Sequence, residues 1–342
     1  MEGNNNENKA KRIRKKKKWK IFKTALIAVL LIGSAVAGNR AAAVRWELHE
    51  SFSLTKQDTT PIIENVDREA LESGVVIEQS KEVTNILLIG ADKRDSWKDT
   101  GRSDVCIIAT IDRKHKQLKL TSLMRDMLID IPGYGPNKFN AAYFNGGIEL
   151  LYKTILQRFG IKVDGYALVD FSAFKKVINT LGGVNINLTE EEHSILMNRY
   201  HRTSVLDLKP GKNKMNGTQA LAYCRLRQDI YSDFGRTGRQ RYVLEQIFKK
   251  MKKKPVSKWY DVLKAVLPYV TTDLSEDKIL DYMQDVIFMG TTEIEQFRLP
   301  VSGTFYDSYH GTDRVLAISD LEKNREELKK FIFDKVEPQE DK

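Results

Sequence analysis

Residues 24–38 read TALIAVLLIGSAVAG, fifteen positions without a charge, directly behind a block of lysines and arginines. Residues 1–23 hold ten Lys and Arg against Glu2 and Glu7, so this flank carries +8 of the formal net charge of +10. With Trp19, Ile21 and Phe22 added and Lys23 able to snorkel, the apolar stretch approaches the ~17–25 residues that span a bilayer. Basic residues on one flank, and only Arg40 and Arg45 soon after the other, predict the N-terminus inside. The expected order is a cytoplasmic basic tail (1–20), a signal-anchor transmembrane helix (21–38) and an extracytoplasmic body, a single-pass type II arrangement in the cell membrane. A cleaved secretory signal competes with it, because Ala35-Val36-Ala37 fits a small-x-small cleavage site. The long basic region and the extended apolar core favour the uncleaved anchor. A nucleic-acid arm at Lys15–Lys18 is disfavoured by the apolar run immediately behind it.

The other 319 residues carry only +2. With 41% hydrophobic and 30% charged residues and eight prolines, the chain is neither disordered, collagen-like nor polytopic. Two cysteines exclude a disulfide-built scaffold. Cys106 and Cys224 each lie in an apolar stretch and read as buried free thiols, with a disulfide left open. Residues 39–82 are polar and read as a stalk that ends in a first helix or strand. From 83 to 342 one α/β domain is expected. Short β-branched runs at 84–89, 105–111, 117–122 and 184–188 predict buried strands. Apolar spacing of three and four predicts helices over 148–159, 171–181, 240–251, 275–289 and 319–333. Interleaved this way, they imply a single layered domain with a central mixed β-sheet covered by helices on both faces.

The commonest catalytic signatures are missing: no GxSxG elbow, no GxxxxGK[ST] loop, no HExxH, and five scattered histidines. Polar residues instead gather where core strands end. The run at 84–90 leads into Asp92; Arg102, Ser103 and Asp104 precede the next strand; Arg125 and Asp126 follow the third. Loops at strand ends are where open α/β sheets bind ligands. The densest cluster is Arg225, Arg227, Asp233, Arg236, Arg239, Gln240 and Arg241. In an extended segment Arg225 and Arg227 share a face; in a helix starting near Arg236, so do Arg236, Arg239 and Gln240. Guanidinium groups gathered like this suit a phosphate-bearing ligand.

At this point the sequence resembles the LytR-CpsA-Psr family of membrane-anchored cell-wall phosphotransferases. The matching segments are NILLIGAD (85–92), GRSD (101–104), TSLMRD (121–126), KFNAAY (138–143), LGGV (181–184), GTQALAY (217–223) and the arginine-rich 225–241. They follow in the family's order and cover about residues 85–250. Met124, Met127 and Phe234 depart from the residues common there, without touching the charged positions. The resemblance implies transfer of an anionic glycopolymer, most often wall teichoic acid, from an undecaprenyl-diphosphate carrier to a hydroxyl of peptidoglycan N-acetylmuramic acid. It implies a polyprenyl-phosphate pocket and magnesium or another divalent cation on Asp92 and Asp104. Arg125, Arg225, Arg227, Arg236 and Asp233 would do the chemistry, with Asp233 also readable as a turn or N-cap residue. Arg102, Lys138, Asn140, Arg239 and Gln240 would bind substrate. Phe139, Tyr143, Phe144, Leu150, Leu151, Ile155 and Phe171 are candidates to line the lipid channel, with core packing the weightier role for each. A polyprenyl-diphosphate hydrolase and a non-enzymatic envelope regulator remain as alternatives.

Overall fold

Three of the four apolar runs expected to be strands, 84–89, 105–111 and 117–122, pair side by side in one sheet. The computed structural model describes residues 49–91, 103–200, 207–226 and 232–337. The predicted anchor at 21–38 lies outside them. Among the described residues no helix is long and apolar enough to cross a membrane.

In chain order the elements are β1 (Lys56–Gln57), α1 (Ile62–Glu72), β2 (Val83–Ala91), β3 (Ser103–Asp112), β4 (Gln117–Leu123), β5 (Met127–Ile131) and β6 (Gly135–Lys138). There follow α2 (Asn140–Phe159), β7 (Gly165–Val169), α3 (Phe171–Thr180), β8 (Val184–Leu188), α4 (Glu190–Tyr200), β9 (Gly211–Met215), α5 (Gly217–Cys224) and α6 (Ser232–Lys252). The chain ends with α7 (Val256–Val266), β10 (Val270–Thr272), α8 (Glu276–Phe288), β11 (Ile294–Leu299), β12 (Phe305–His310), β13 (Asp313–Ile318) and α9 (Leu321–Phe333).

Seven strands form the main sheet in the order β1-β10-β7-β2-β3-β4-β11. It is mixed: β2 pairs antiparallel with β3 and parallel with β7. Leu87, Ile89, Cys106 and Ile108 project from one face into a core shared with α1, α2 and α9. From the other face Ile86 and Ile111 pack with Phe248, Met251 and Trp259 of α6 and α7. A second sheet, β12-β13-β5-β6, begins where β4 gives way to β5.

Three expectations need correction. The domain starts before residue 83: the first helix or strand expected there is present as β1, which pairs with β10, and α1, which buries Ile63, Val66 and Ala70 in the core. Residues 184–188 form a strand, but outside the main sheet. They pair only with β9, with Asn185 and Asn187 exposed. The segment before Arg225 is helical. Asn216 and Gln219 close a capping box that starts α5, and Arg225 ends it as the C-cap. Gly217 lets α5 press on α3, since a Cβ there would lie 2.5 Å from Lys175 Cα.

Candidate active site

The site begins with a fault in the central pairing. Gly90 faces Val105, but the next residue, Ala91, faces Ser103, so Asp104 is an extra residue in a bulge. The bulge breaks the strict alternation of β3, and Asp104 and Val105 both line one cavity. Asp104 Oδ1 accepts from Arg125 Nη1 at 2.8 Å. Its other oxygen lies 3.3 Å from Arg236 Nη2, which also donates to the Asp104 carbonyl at 3.2 Å.

Arg125 stands between β4 and β5. Besides Asp104 it grips Asp233 with two bonds, Nε to Oδ2 at 2.9 Å and Nη2 to Oδ1 at 3.2 Å. Asp233 is in the first turn of α6, where a carboxylate also meets the positive end of the helix dipole. Arg236, one turn on, lies 3.7 Å from Asp233. It is buried, and its Nε has no partner among the described residues. A buried unpaired donor is costly, and here it belongs to a guanidinium at the rim of the cavity.

The electrostatics separate two neighbouring carboxyls. Burial pushes Asp233 up, but Arg125, a hydrogen bond from Asp126 and Arg236 outweigh it and hold the group below its ordinary value. Burial pushes Asp126 up, and the hydrogen bond to Asp233 reinforces it against Arg125 and Lys138. Lys138 Nζ is 3.2 Å from Asp126 Oδ1. Asp126 thus keeps its proton longest of the pair. Asp126 is visible in the sequence only as the neighbour of Arg125, because the partner that gives it a role, Asp233, is 107 positions away.

The cavity, about 140 Å³, lies between the sheet and helices α3, α5 and α6. Leu88, Ile107, Phe171, Phe174 and Leu221 make it apolar, and Asp104, Asp170, Arg225, Arg236 and Gln240 supply its polar groups, Asp170 being engaged as the N-cap of α3. The Arg225 guanidinium lies over the Phe171 ring at 3.9 Å. Of the candidate channel residues only Phe171 lines this cavity. Phe139, Tyr143, Leu150, Leu151 and Ile155 belong to the core on the opposite sheet face, and Phe144 is exposed.

Other candidates fall differently. Arg239 is turned away from the carboxylates: Nη2 donates to the Leu226 carbonyl at 2.7 Å and Nη1 lies 3.5 Å from Glu192. It braces the end of α5 against α4. Asn140 opens α2, and its backbone N–H donates to the Arg125 carbonyl at 3.2 Å. Asp92, Arg102 and Arg227 lie outside the described residues. Both cysteines are free and buried, with burial pushing Cys224 up to about 12. Among the described residues no three His, Cys, Asp or Glu side chains form a metal-binding group. Asp104 does offer the hard carboxylate oxygen that magnesium accepts, and magnesium commonly takes only one or two protein carboxylates. The donor chemistry fits.

A model of the LytR_cpsA_psr family matches residues 50–330. The chain belongs to this family. Among its relatives is the polyisoprenyl-teichoic acid--peptidoglycan teichoic acid transferase TagU of Enterococcus faecalis, 33% identical over 322 residues, 91% of this chain and 96% of TagU. The regulatory protein MsrR of Staphylococcus aureus is 32% identical over 251 residues, 72% of this chain and 74% of MsrR. The LytR-CPS2A-psr family protein YwtF (TagT) of Bacillus subtilis, solved with bound octaprenyl pyrophosphate lipid, superposes with a TM-score of 0.58 at 25% identity. That match covers 75% of this chain and 94% of TagT.

Proposed function

We propose that this LytR-CpsA-Psr protein transfers an anionic glycopolymer, wall teichoic acid being the best fit, from a polyprenyl-diphosphate carrier to a hydroxyl of peptidoglycan N-acetylmuramic acid. It works outside the cytoplasm, held to the membrane by residues 21–38. The observation that carries the reading is an apolar cavity whose charged and amide residues are Asp104, Asp170, Arg225, Arg236 and Gln240, with Asp170 turned to cap α3 through the Ala173 N–H. An isoprenoid tail suits the apolar part and a diphosphate suits the arginines. The TagU activity and the octaprenyl pyrophosphate in TagT point the same way.

In the reaction the acceptor hydroxyl attacks the glycan-side phosphorus, the P–O bond to the polyprenyl phosphate breaks, and the hydroxyl proton passes to Asp126. Arg236 and Arg225 hold phosphate oxygens and stabilise the charge that grows on the leaving polyprenyl phosphate. Arg125, fixed by Asp233 and Asp104, presents its guanidinium between the two halves of the site. A divalent ion on Asp104 and Asp92 would neutralise charge on the diphosphate.

The test is incubation of the purified chain with lipid-linked glycopolymer and peptidoglycan oligomers. Covalent attachment is the expected result. Glycan released without attachment would make the protein a hydrolase, and no turnover with either acceptor would favour the non-enzymatic regulator. Within that assay Arg225→Ala should lower kcat/KM about 10–100-fold, the loss of one or two charge-assisted hydrogen bonds, with an unchanged melting temperature. Wild-type kcat/KM would remove Arg225 from the site.

A further inference from the structure

Two arginines outside the cluster around Arg125 stand close together with no carboxylate between them. Leu88 pairs with Ile107, Ile107 with Ser122, and Ser122 with Arg298, so the four share one sheet face. The first two line the apolar cavity. Arg298 therefore lies three strands, about 14 Å, across the face from Leu88. Arg241 reaches the same spot from α6: Nη1 donates to Ser122 Oγ at 2.7 Å and Nε to Gln296 Oε1 at 3.1 Å. Arg298 Nη2 donates to Ser302 Oγ at 3.1 Å.

These hydrogen-bond partners are neutral, and neither arginine has an ion-pair partner among the described residues. The acid that joins this network through Gln296, Glu245, is held by Gln296 Nε2 at 3.1 Å and by Lys249 at 2.5 Å. Arginines kept for structure in this fold look different: Arg113 lies on Asp285 and Arg239 on Glu192. Burial lowers Arg241 to about 10, and the charge of Arg298 adds to it. Burial alone lowers Arg298. Each guanidinium is held in a place that disfavours its charge, and an anion between them would relieve both.

The position relative to the active site is fixed by one ring. The Arg298 guanidinium lies over Phe234 at 4.3 Å, and Phe234 stacks on Phe305 with centroids 5.4 Å apart. Phe234 directly follows Asp233, the residue that grips Arg125. An anion on Arg241 and Arg298 would thus be separated from the diphosphate by this aromatic partition.

We propose that Arg241 and Arg298 form a second phosphate subsite, which holds a phosphodiester of the glycopolymer chain while its diphosphate end occupies the site at Asp104, Arg125 and Arg236. This rests on the reading of the protein as a glycopolymer transferase. It adds that the enzyme recognises the polyanionic character of the chain as well as the lipid and the diphosphate. Two guanidinium forks meeting from α6 and β11 suit a phosphate, whose oxygens can serve both at once.

The probe is a lipid-free oligo(glycerol phosphate), titrated calorimetrically against the full chain in detergent. R241Q/R298Q should bind it at least tenfold more weakly than wild type, because charge-assisted bonds become neutral ones. R236K should bind the oligomer normally and lose affinity for polyprenyl diphosphate. If the double variant melts early, R298Q alone, which gives up only one hydrogen bond, that to Ser302, should still weaken binding several-fold. Oligomer binding of wild-type strength in both R241Q/R298Q and R298Q would overturn the proposal. Loss of oligomer binding in R236K would also do so, since the oligomer would then occupy the diphosphate site. Equally good displacement by inorganic phosphate at the same phosphate concentration would sink the chain-recognition claim, and failure to compete would support it. A protein that binds the oligomer as expected but attaches no glycan in the transfer assay would separate failure of the transferase reading from failure of the subsite.

Discussion

Replacing Asp126 with asparagine is expected to slow transfer by about 10²–10⁴, the usual contribution of a general base, with little change in affinity for the lipid substrate. The expectation follows from how two neighbouring carboxyls are treated. Asp233 is held ionised by Arg125 and Arg236, so it is a poor proton acceptor and a good clamp for Arg125. Asp126 is pushed the other way by burial and by Asp233, and faces Arg125 and Lys138 as its cations. Pairs driven apart in this way commonly divide acid–base work from electrostatic work. A base must be unprotonated to act, so wild-type kcat should rise with pH through a limb set by Asp126. Because its pKa is raised, that limb should lie above the range of an ordinary aspartate. Asp126→Asn should lose the limb, whereas Asp233→Asn should keep it and lose rate through a misplaced Arg125. The same raised pKa has a cost in stability. The folded protein binds this proton more tightly than the unfolded chain, so stability falls as pH rises from the unfolded value through the folded one. Asp126→Asn removes that cost and should be slightly more stable at neutral pH. A variant with the wild-type acid limb would show that another group takes the proton.

How much of this could be read from the residues depends on whether a feature is local. Strands β2, β3 and β4 were legible because each is rich in β-branched and aliphatic residues, with polar positions such as Asn85 and Lys119 interspersed. The extended reading around Arg225 came from the alternation of Cys224 and Leu226 with Arg225 and Arg227. The Asn216-x-x-Gln219 spacing was a readable start signal for a helix, and it wins in the structure. Strand β1 is two residues long and has no pattern to read. For the site, Arg125, Asp104, Asp233 and Arg236 were all recognisable as polar residues beside apolar runs, and they do converge. What aims Asp104 is a shift of register at Gly90 and Ala91, a property of two strands together. The candidate channel residues divide for a related reason: Phe139, Tyr143, Leu150, Leu151 and Ile155 take the core role given more weight for them, and Phe171 lines the cavity. An apolar stripe on α2 and one on α3 look alike until it is known which sheet face each helix covers.

Lys119→Met should cost about 3–5 kcal/mol of unfolding free energy, the penalty for stranding a buried charge, and should be seen as a lower urea midpoint. Lys119 is a fully buried lysine on a central strand, and three oxygens satisfy it. Nζ donates to Asp112 Oδ2 at 2.7 Å, to the Ile332 carbonyl at 3.1 Å and to the Asp334 carbonyl at 2.7 Å. The last two are at the C-terminal end of α9, where orphan carbonyls need donors. Gln117 secures the following residues through two bonds to the Val336 backbone. Methionine fills the volume of lysine but leaves Asp112 and both carbonyls without their cation. His115 Nδ1 stays 2.8 Å from Asp112 Oδ2 and cannot replace it alone. The pH dependence gives a sharper test. In the wild type burial pushes Asp112 up, but Lys119 and His115 outweigh it and hold the carboxyl below its ordinary value. A depressed folded pKa gives stability that is present above the unfolded value and lost as pH falls through the folded one. In Lys119→Met the buried carboxylate loses its partner, its pKa rises, and protonation in acid relieves it. The gap between the two proteins should therefore be widest near neutral pH and narrow below about pH 4. Adding Asp112→Asn to Lys119→Met should recover part of the loss, because the stranded charge goes with it. A gap that stays constant from pH 7 to pH 3 would mean that lost packing, and not the ion pair, sets the cost.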